Sequence, residues 1–428
     1  TRATIAAGGK GGMETLYSVS AGLDVHRDTV VVSIRKQAAK GKDLVETRTF
    51  ATFHDGLVDM VAWLDEHDVP IVGIESTGVY WKPVVRELQL RSPQRIVWLV
   101  NPAEVKQVPG RKTDVNDSQW LSKLVMHGLV SPSFLPSQQL EELRKLTRYR
   151  TKVVGQQASS SNRIIKELES SGIKLASVCS SVLGKSSLAM IRALLDGDKA
   201  PSEIADLACG RLRKKVPELE RAVTGTFSDA TQFLLRQLLR RHDELQRDLD
   251  ELDEQIRARM QPYQPAVELL LQVPGLDHTS IAAIIAEIGT DMSVFNSADH
   301  ATAWGGLCPG SKESAGKSKH APARKGNKYL RTILVQCAWS ATRTRGTFWK
   351  QKFGQLVKRL GRKKALFAIA RKMLVAIFYI LRDGKPYQEP ILPPRTEKQI
   401  EKQVRRHVAQ LAALGFDVTV HPIAATET

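Results

Sequence analysis

Paired cysteines are the first thing this sequence lacks. It has four cysteines, Cys179, Cys209, Cys308 and Cys337. None falls in a Cys-x-x-Cys pair and no histidine cluster has zinc-ligand spacing, so a structural zinc site is excluded and a reducing cytoplasm is the natural compartment. Long apolar runs are also missing. The most apolar stretch, Ala365 to Leu381, is broken by Arg371 and Lys372, short of the roughly 18–20 residues a spanning helix needs. The chain start has no apolar signal core. Thr1 to Gly12 are small and polar and precede Met13, which reads as a flexible lead over residues 1–14. No Walker loop is present, so nucleotide hydrolysis is not the energy source. Acids are scarce: Asp and Glu number 45 against 63 Lys and Arg, a formal charge of +18.

That excess of cations attracts polyanions, nucleic acid first and a membrane surface second. The 428 residues, 42% hydrophobic, suffice for two or three domains with real cores.

The first third alternates strand and helix patterns. Residues 17–25 and 29–34 are β-branched runs around His26-Arg27-Asp28 and read as a hairpin. A third strand follows at 45–50. Leu57, Met60, Val61 and Leu64 repeat at helical spacing. Ile71-Val72-Gly73-Ile74-Glu75 and Ile96-Val97-Trp98-Leu99-Val100 read as buried strands around a helix from Val79 to Leu88. A further helix runs from about Val115 to Met126. The order βββ-αβ-αβ-α is that of the ribonuclease H-like fold, a likeness that carries no function by itself. The acids add weight. Asp24 lies inside the first strand, Glu75 ends the fourth, and Asp114 and Asp117 stand three residues apart at a helix start, a spacing that shares one helix face. The plain alternative is a helix cap by Thr113 or Asp114, with Asp117 favouring the dipole. An acid within an apolar strand, however, is costly unless paired or metal-bound. Four such acids point to an oxygen-only site for Mg²⁺ or Mn²⁺.

After Pro132 and Pro136 the chain turns polar and helical from Gln138 to about Ile173, carrying Arg144, Lys145, Arg148, Arg150, Lys152, Arg163 and Lys166. Shorter helical pieces follow. Thr231 to Met260 then reads as a long charged helix with a narrow leucine seam, suited to a coiled-coil dimer or to a hairpin within the chain. From Pro262, Val273-Pro274-Gly275 between two apolar helices resembles a helix-hairpin-helix. Such an element either binds backbone phosphate or is an ordinary core turn. Next comes a loop rich in small residues, Trp304 to Tyr329, with Lys312, Lys317, Lys319, Arg324 and Lys325 around its serines. It reads as a phosphate cradle, as a solvent loop, or as the seat of a serine nucleophile. Lys350 to Arg382 is helical, with Leu366, Phe367, Ile369, Met373, Leu374, Ile377 and Phe378 as its apolar face. A last helix spans Glu397 to Leu414.

Taken together, Gly22-Leu23-Asp24-Val25-His26, Gly73-Ile74-Glu75-Ser76-Thr77-Gly78, Asn101-Pro102, Lys112-Thr113-Asp114-Val115-Asn116-Asp117, Val273-Pro274-Gly275, Gly306-Leu307-Cys308-Pro309, Ser314-Ala315-Gly316-Lys317 and Arg324-Lys325-Gly326-Asn327-Lys328-Tyr329-Leu330-Arg331 are an ordered set. The chain thereby resembles the IS one-ten family of insertion-sequence transposases, bridge-RNA-guided recombinases with pilin-gene invertase relatives. The resemblance covers about Met13 to Tyr387. It implies a RuvC-like, ribonuclease H-like domain (15–135) with Asp24, Glu75, Asp114 and Asp117 as metal-binding tetrad. A helical coiled-coil region (136–261) would follow, then a mainly helical transposase domain (262–386) whose Ser314 attacks DNA, and a charged helical tail (387–428).

The resemblance further implies Mg²⁺ (or Mn²⁺) as cofactor, donor and target DNA and a structured guide RNA as partners, and homodimers assembling into a tetramer. Lys112, Lys317, Lys319, Arg324, Lys325, Lys328 and Arg331 would contact phosphate or nucleic acid. No membrane is involved, and the location is the bacterial cytoplasm, at the nucleoid. The other readings are a two-metal RuvC-like nuclease that resolves junctions by hydrolysis, and a nucleic-acid-binding protein without chemistry.

Overall fold

A computed structural model describes residues 15–39, 41–76, 78–108, 116–308, 312–314, 317–319, 326–390 and 397–420. The chain divides into two compact units, Thr1–Ser137 and Gln138–Thr428.

The first unit is built on a five-stranded sheet: β1 (Val19–Val25), β2 (Thr29–Lys36), β3 (Leu44–Ala51), β4 (Ile71–Glu75) and β5 (Ile96–Val100), in the order β3-β2-β1-β4-β5. β2 runs antiparallel to both its neighbours, whereas β1, β4 and β5 are parallel. The helices are α1 (His54–Glu66), α2 (Trp81–Arg91), α3 (Pro102–Gln107) and α4 (Asp117–Met126). Because side chains alternate across a strand, the sheet has two different faces. Leu23, Val32, Val72 and Ile74 pack with Leu57, Met60, Trp63, Leu64, Val84 and Leu88 of α1 and α2. Ile71 and Val100 face Trp120, Leu121, Leu124 and Val125 of α4. The expected five strands are present. Two details differ. The short helix α3 intervenes after β5. The next helix begins at Asp117, with Asn116 at its N-cap position and no capping hydrogen bond from its side chain. Thr113 and Asp114 lie outside the described residues.

Among its described residues, the second unit is helical apart from one hairpin. α5 (Gln138–Ser170) is followed by α6 (Leu175–Val178), α7 (Lys185–Asp196), α8 (Pro201–Ala205), α9 (Val216–Ala222) and the long α10 (Asp229–Met260). α5 and α10 lie antiparallel: Arg150 bonds Asp253 at 2.5 Å and Gln157 bonds Gln246 at 2.8 Å. Val153 fills the seam formed by Leu245, Leu249 and Leu252. The leucine stripe that suggested a second chain is thus covered here by α5 of the same chain. α11 (Gln264–Leu271), α12 (His278–Ile288), α13 (Ala298–Trp304), β6 (Lys312–Ser314), β7 (Lys317–Lys319), α14 (Lys328–Ala341), α15 (Phe348–Leu360), α16 (Arg362–Asp383) and α17 (Glu397–Ala412) complete it. Ala365, Ile369, Ala370, Met373, Leu374, Ile377 and Phe378 of α16 are buried. Phe367, expected on that face, is 38% exposed. No described helix is long and apolar enough to cross a membrane.

Candidate functional site

The acids of the first unit are placed by small residues. Ser20, Gly22 and Asp24 share one face of β1, and Ile71, Gly73 and Glu75 the same face of β4, by strand alternation. Leu23 pairs with Ile74 across these parallel strands, so Asp24 and Glu75 follow side by side at the C-terminal edge. That face carries α4. A β-carbon added at Gly22 would stand 2.1 Å from the Ser118 carbonyl oxygen and 2.4 Å from the Ser122 nitrogen, and one at Gly73 2.5 Å from a Val125 methyl. Only glycine lets the helix backbone lie so near. Buried hydroxyls hold it there: Ser20 donates to the Ser122 carbonyl at 2.9 Å, and Ser33 bonds Ser118 at 2.7 Å. Arg35 reaches the Gln119 carbonyl at 3.1 Å and Asp43 at 3.2 Å. Asp117, the first residue of α4, therefore starts over the face that bears Asp24 and Glu75.

Asp24 and Glu75 are half-buried and Asp117 is exposed. His26 approaches Asp24 with 3.3 Å between Nε2 and Oδ2. Asp114 and Lys112 lie outside the described residues. Among the described ones, no grouping of three or more His, Cys, Asp or Glu could by itself hold a metal ion. Asp24 and Glu75 lie on one face and edge of the sheet, and Asp117 begins the helix packed on that face. The fourth belongs to the undescribed segment between Val108 and Asn116.

In the second unit, the serine region is a hairpin rather than a loop. β6 pairs antiparallel with β7 in the register Lys312–Lys319, Glu313–Ser318 and Ser314–Lys317. The two residues between the strands are Ala315 and Gly316, a length and a glycine that suit a tight hairpin. Ser314 and Lys317 form its last pair, and Ser318 belongs to the alternate set with Glu313. Arg324, Lys325, Ser311 and His320 lie outside the described residues.

The described residues that flank the segment holding this hairpin meet each other. Asn327 donates its backbone N–H to the Trp304 carbonyl at 2.9 Å, and a β-carbon at Gly326 would come within 2.4 Å of the Gly306 nitrogen. Asn327 also caps α14, its Oδ1 accepting from Tyr329 and Leu330 at 3.0 and 3.1 Å. Lys328 is exposed and Arg331 half-exposed on the first turn of α14. Cations there oppose the helix dipole, so their placement suits an anion better than it suits the helix.

Of the two readings of the Val273-Pro274-Gly275 turn, its packing favours the core one. A β-carbon at Gly275 would lie 2.6 Å from the Cys337 carbonyl, and the α12 N-terminus is already capped by the Asp277 carboxylate, 2.8 Å from Ser280 N. Arg144, Arg148 and Arg150 are likewise not offered to a polyanion. Arg148 grips buried Glu287 at 2.7 and 2.8 Å, Arg144 donates to the Ala286 and Glu287 carbonyls at 2.9 and 2.8 Å, and Arg150 holds Asp253. Burial lowers the Arg144 pKa, with Glu287 opposing. Lys152, Arg163 and Lys166 remain exposed on α5. Glu287 itself escaped sequence reasoning. The signal was there, as the sole acid within the apolar helix His278–Ile288.

Residues 21–172 match the model of the DEDD transposases of IS110 type, and residues 267–353 match the model of the transposase IS116/IS110/IS902 family, together more than half of the chain. The chain belongs to this transposase family. The first match spans Asp24, Glu75, Asp114 and Asp117; the second spans Glu287, the β6–β7 hairpin and Asn327. Similar curated proteins are the pilin gene-inverting proteins of Moraxella bovis and Moraxella lacunata, each 30% identical over 128 residues. That segment is 29% of this chain and 39% of each relative, so the chain spans about two fifths of the relatives' length. Within the matched segments, Gly22 and Gly73 admit α4 to the acid face, and Gly326 packs on Gly306.

Proposed function

We propose that the protein cuts and rejoins DNA strands through a covalent serine–DNA intermediate, with a RuvC-like, ribonuclease H-like first unit and Ser314 as nucleophile. The observation that carries this reading is the pairing of Ser314 with Lys317 in the β6–β7 hairpin, with the flanking residues Trp304 and Asn327 hydrogen-bonded to each other. A serine needs fixed placement and nearby cations to attack a phosphodiester. Asp24, Glu75, Asp114 and Asp117 form an oxygen-only donor set fitting a hard divalent cation. Asp24 and Glu75 follow side by side on one face of the sheet, and Asp117 begins the helix that covers that face. Mg²⁺ (or Mn²⁺) held there would polarise the scissile phosphate and stabilise the departing 3′-oxygen.

In this mechanism Ser314 Oγ forms a bond to phosphorus while the P–O3′ bond breaks. The serine proton ends on the released 3′-oxygen. A 3′-hydroxyl of the exchanged strand then attacks the same phosphorus and returns the serine. The phosphodiester energy is conserved, so no nucleotide cofactor is consumed. Lys317, Lys319, Arg324, Lys325, Lys328 and Arg331 offset the phosphate charge, and Lys112 steers phosphate to the acids. A structured guide RNA chooses donor and target DNA by pairing, while the protein, assembled from dimers into a tetramer, supplies backbone contacts. The nucleoid is where such an enzyme meets its DNA.

The test is a protein–DNA adduct that survives denaturation. The protein is incubated with Mg²⁺, RNA copurified from the expressing cells and a labelled duplex carrying the joined ends of its own element. Ser314→Ala should abolish the adduct, and chelation should too. An adduct formed by Ser314→Ala refutes the serine. Clean cutting by the parent protein with no adduct favours a two-metal hydrolytic nuclease.

A further inference from the structure

Glu287 is 2% exposed, and an acid is rarely buried without a task or a full set of partners. Its carboxylate takes the Arg148 fork on both oxygens, at 2.7 and 2.8 Å, and its Oε2 also accepts from Asn327 Nδ2 at 2.5 Å. Arg148 in turn stacks over the Tyr329 ring, 4.2 Å from its centroid. One carboxylate thus joins α5, the last turn of α12 and the first turn of α14. Asn327 also ties together the described residues on either side of the segment that carries the serine hairpin. Its N–H is bonded to Trp304, the neighbouring Gly326 is packed on Gly306, and its Oδ1 caps α14. With its carbonyl accepting from Arg331 N at 3.1 Å, all four polar groups of Asn327 are committed, and the amide nitrogen is committed to Glu287.

We propose that Glu287 and Asn327 are positioning residues for strand cleavage. The buried Arg148–Glu287–Asn327 chain fixes where the Ser314 hairpin leaves the body, so that the hairpin presents its serine in one place. This rests on the reading that Ser314 is the nucleophile. Arg148 lies on α5, the 33-residue helix that also packs along α10, so a shift of that helix would reach the hairpin through the same carboxylate.

The decisive variant is Asn327→Asp. Aspartate caps a helix as well as asparagine, so α14 keeps its start, but the donor to Glu287 becomes a second carboxylate. Adduct formation with the labelled duplex should slow about 100-fold, the effect of a roughly 1 Å misplacement. Affinity for an unrelated duplex should stay within about threefold, since no phosphate contact is removed. Hydrogen exchange of residues 312–319 should accelerate while that of 330–341 does not. Adding Glu287→Gln to Asn327→Asp lets an amide donate to the new carboxylate, with the cluster's net charge as in the parent. This double variant should recover the adduct rate to within about tenfold of the parent. Asn327→Ser, which caps but is too short to reach Glu287, should behave as Asn327→Asp and guards against a folding failure.

Unchanged hairpin exchange in both single variants overturns the tether. Faster exchange at an unchanged adduct rate overturns the positioning role, and so does absence of rescue in the double variant. The serine reading is judged separately: an adduct in Ser314→Ala removes the nucleophile, whereas the exchange measurement still decides whether Glu287 holds the hairpin.

Discussion

Replacing Gly22 by alanine tests how the acid face is built. The added carbon would lie 2.1 Å from the Ser118 carbonyl oxygen and 2.4 Å from the Ser122 nitrogen, where real contacts keep at least 3.0 Å. Both obstacles are backbone, so no rotamer change relieves them, and α4 must retreat by about 1 Å. Overpacking of this kind costs about 1–3 kcal/mol. The retreat also weakens the Ser20–Ser122 and Ser33–Ser118 hydrogen bonds, each worth about 1 kcal/mol. The expected loss is about 2–5 kcal/mol, a large part of a domain's usual 5–15. Because Asp117 starts α4 and Asp24 lies two residues after Gly22, the same shift should reduce metal-dependent cleavage about 100-fold. Urea unfolding measures the first effect, hydrogen exchange of residues 117–126 locates it, and a cleavage assay across Mg²⁺ concentrations measures the second. Gly155→Ala is the control. It has no neighbour within 4 Å of its would-be β-carbon and lies mid-helix in α5, so alanine should stabilise by up to about 1 kcal/mol. Parent-like stability and parent-like cleavage in Gly22→Ala would refute the claim that this glycine seats the helix carrying Asp117.

Three further outcomes are expected. Asp277→Ala should cost about 1 kcal/mol as a lost cap and leave duplex affinity within experimental error; a marked fall in affinity would revive the phosphate-binding reading of this turn. His242 is buried, and its Nδ1 has no hydrogen-bond partner. Burial lowers its pKa from 6.5, with Asp243 opposing and Arg192 reinforcing. A depressed folded value means stability present above pH 6.5 and lost as the pH falls through the folded value, which acid titration of the melting temperature reads and which His242→Gln should blunt. Burial pushes the Cys337 thiol up to about 11, while Cys209 is exposed. A thiol reagent at pH 8 should therefore modify Cys209 first and Cys337 only on unfolding, as peptide mapping would show.

Local pattern carried a great deal of this protein. β-branched runs and their polar breaks located all five strands of the first sheet, because alternation and turn chemistry are local. Heptad-like spacing located α5 and α10 within two or three residues. The acids at 24, 75 and 117 stood out because charge inside or beside apolar runs is costly, and the ordered glycine and basic motifs carried the family. The start of α4 lies two residues beyond the expected Val115, because Val115 continues the apolar pattern in the sequence while the helix begins at Asp117.

Pairing between distant segments was a different matter. The leucine stripe of α10 specified that something would cover it but not what; Val153 does so, about a hundred positions earlier in the chain. Arg148 read as a surface cation, yet its partner Glu287 is 139 residues away, and only tertiary packing turns the two charges inward together. The same holds for Gly22 and Ser118, whose contact decides where Asp117 stands. The sequence by itself determined the elements, the acid set and the polyanion-seeking charge, because those follow from periodicity and composition. The tertiary structure decided which charges are spent inside the molecule, how closely α4 lies on the sheet and what joins the residues flanking the serine hairpin, because each depends on one side chain meeting another from a remote part of the chain.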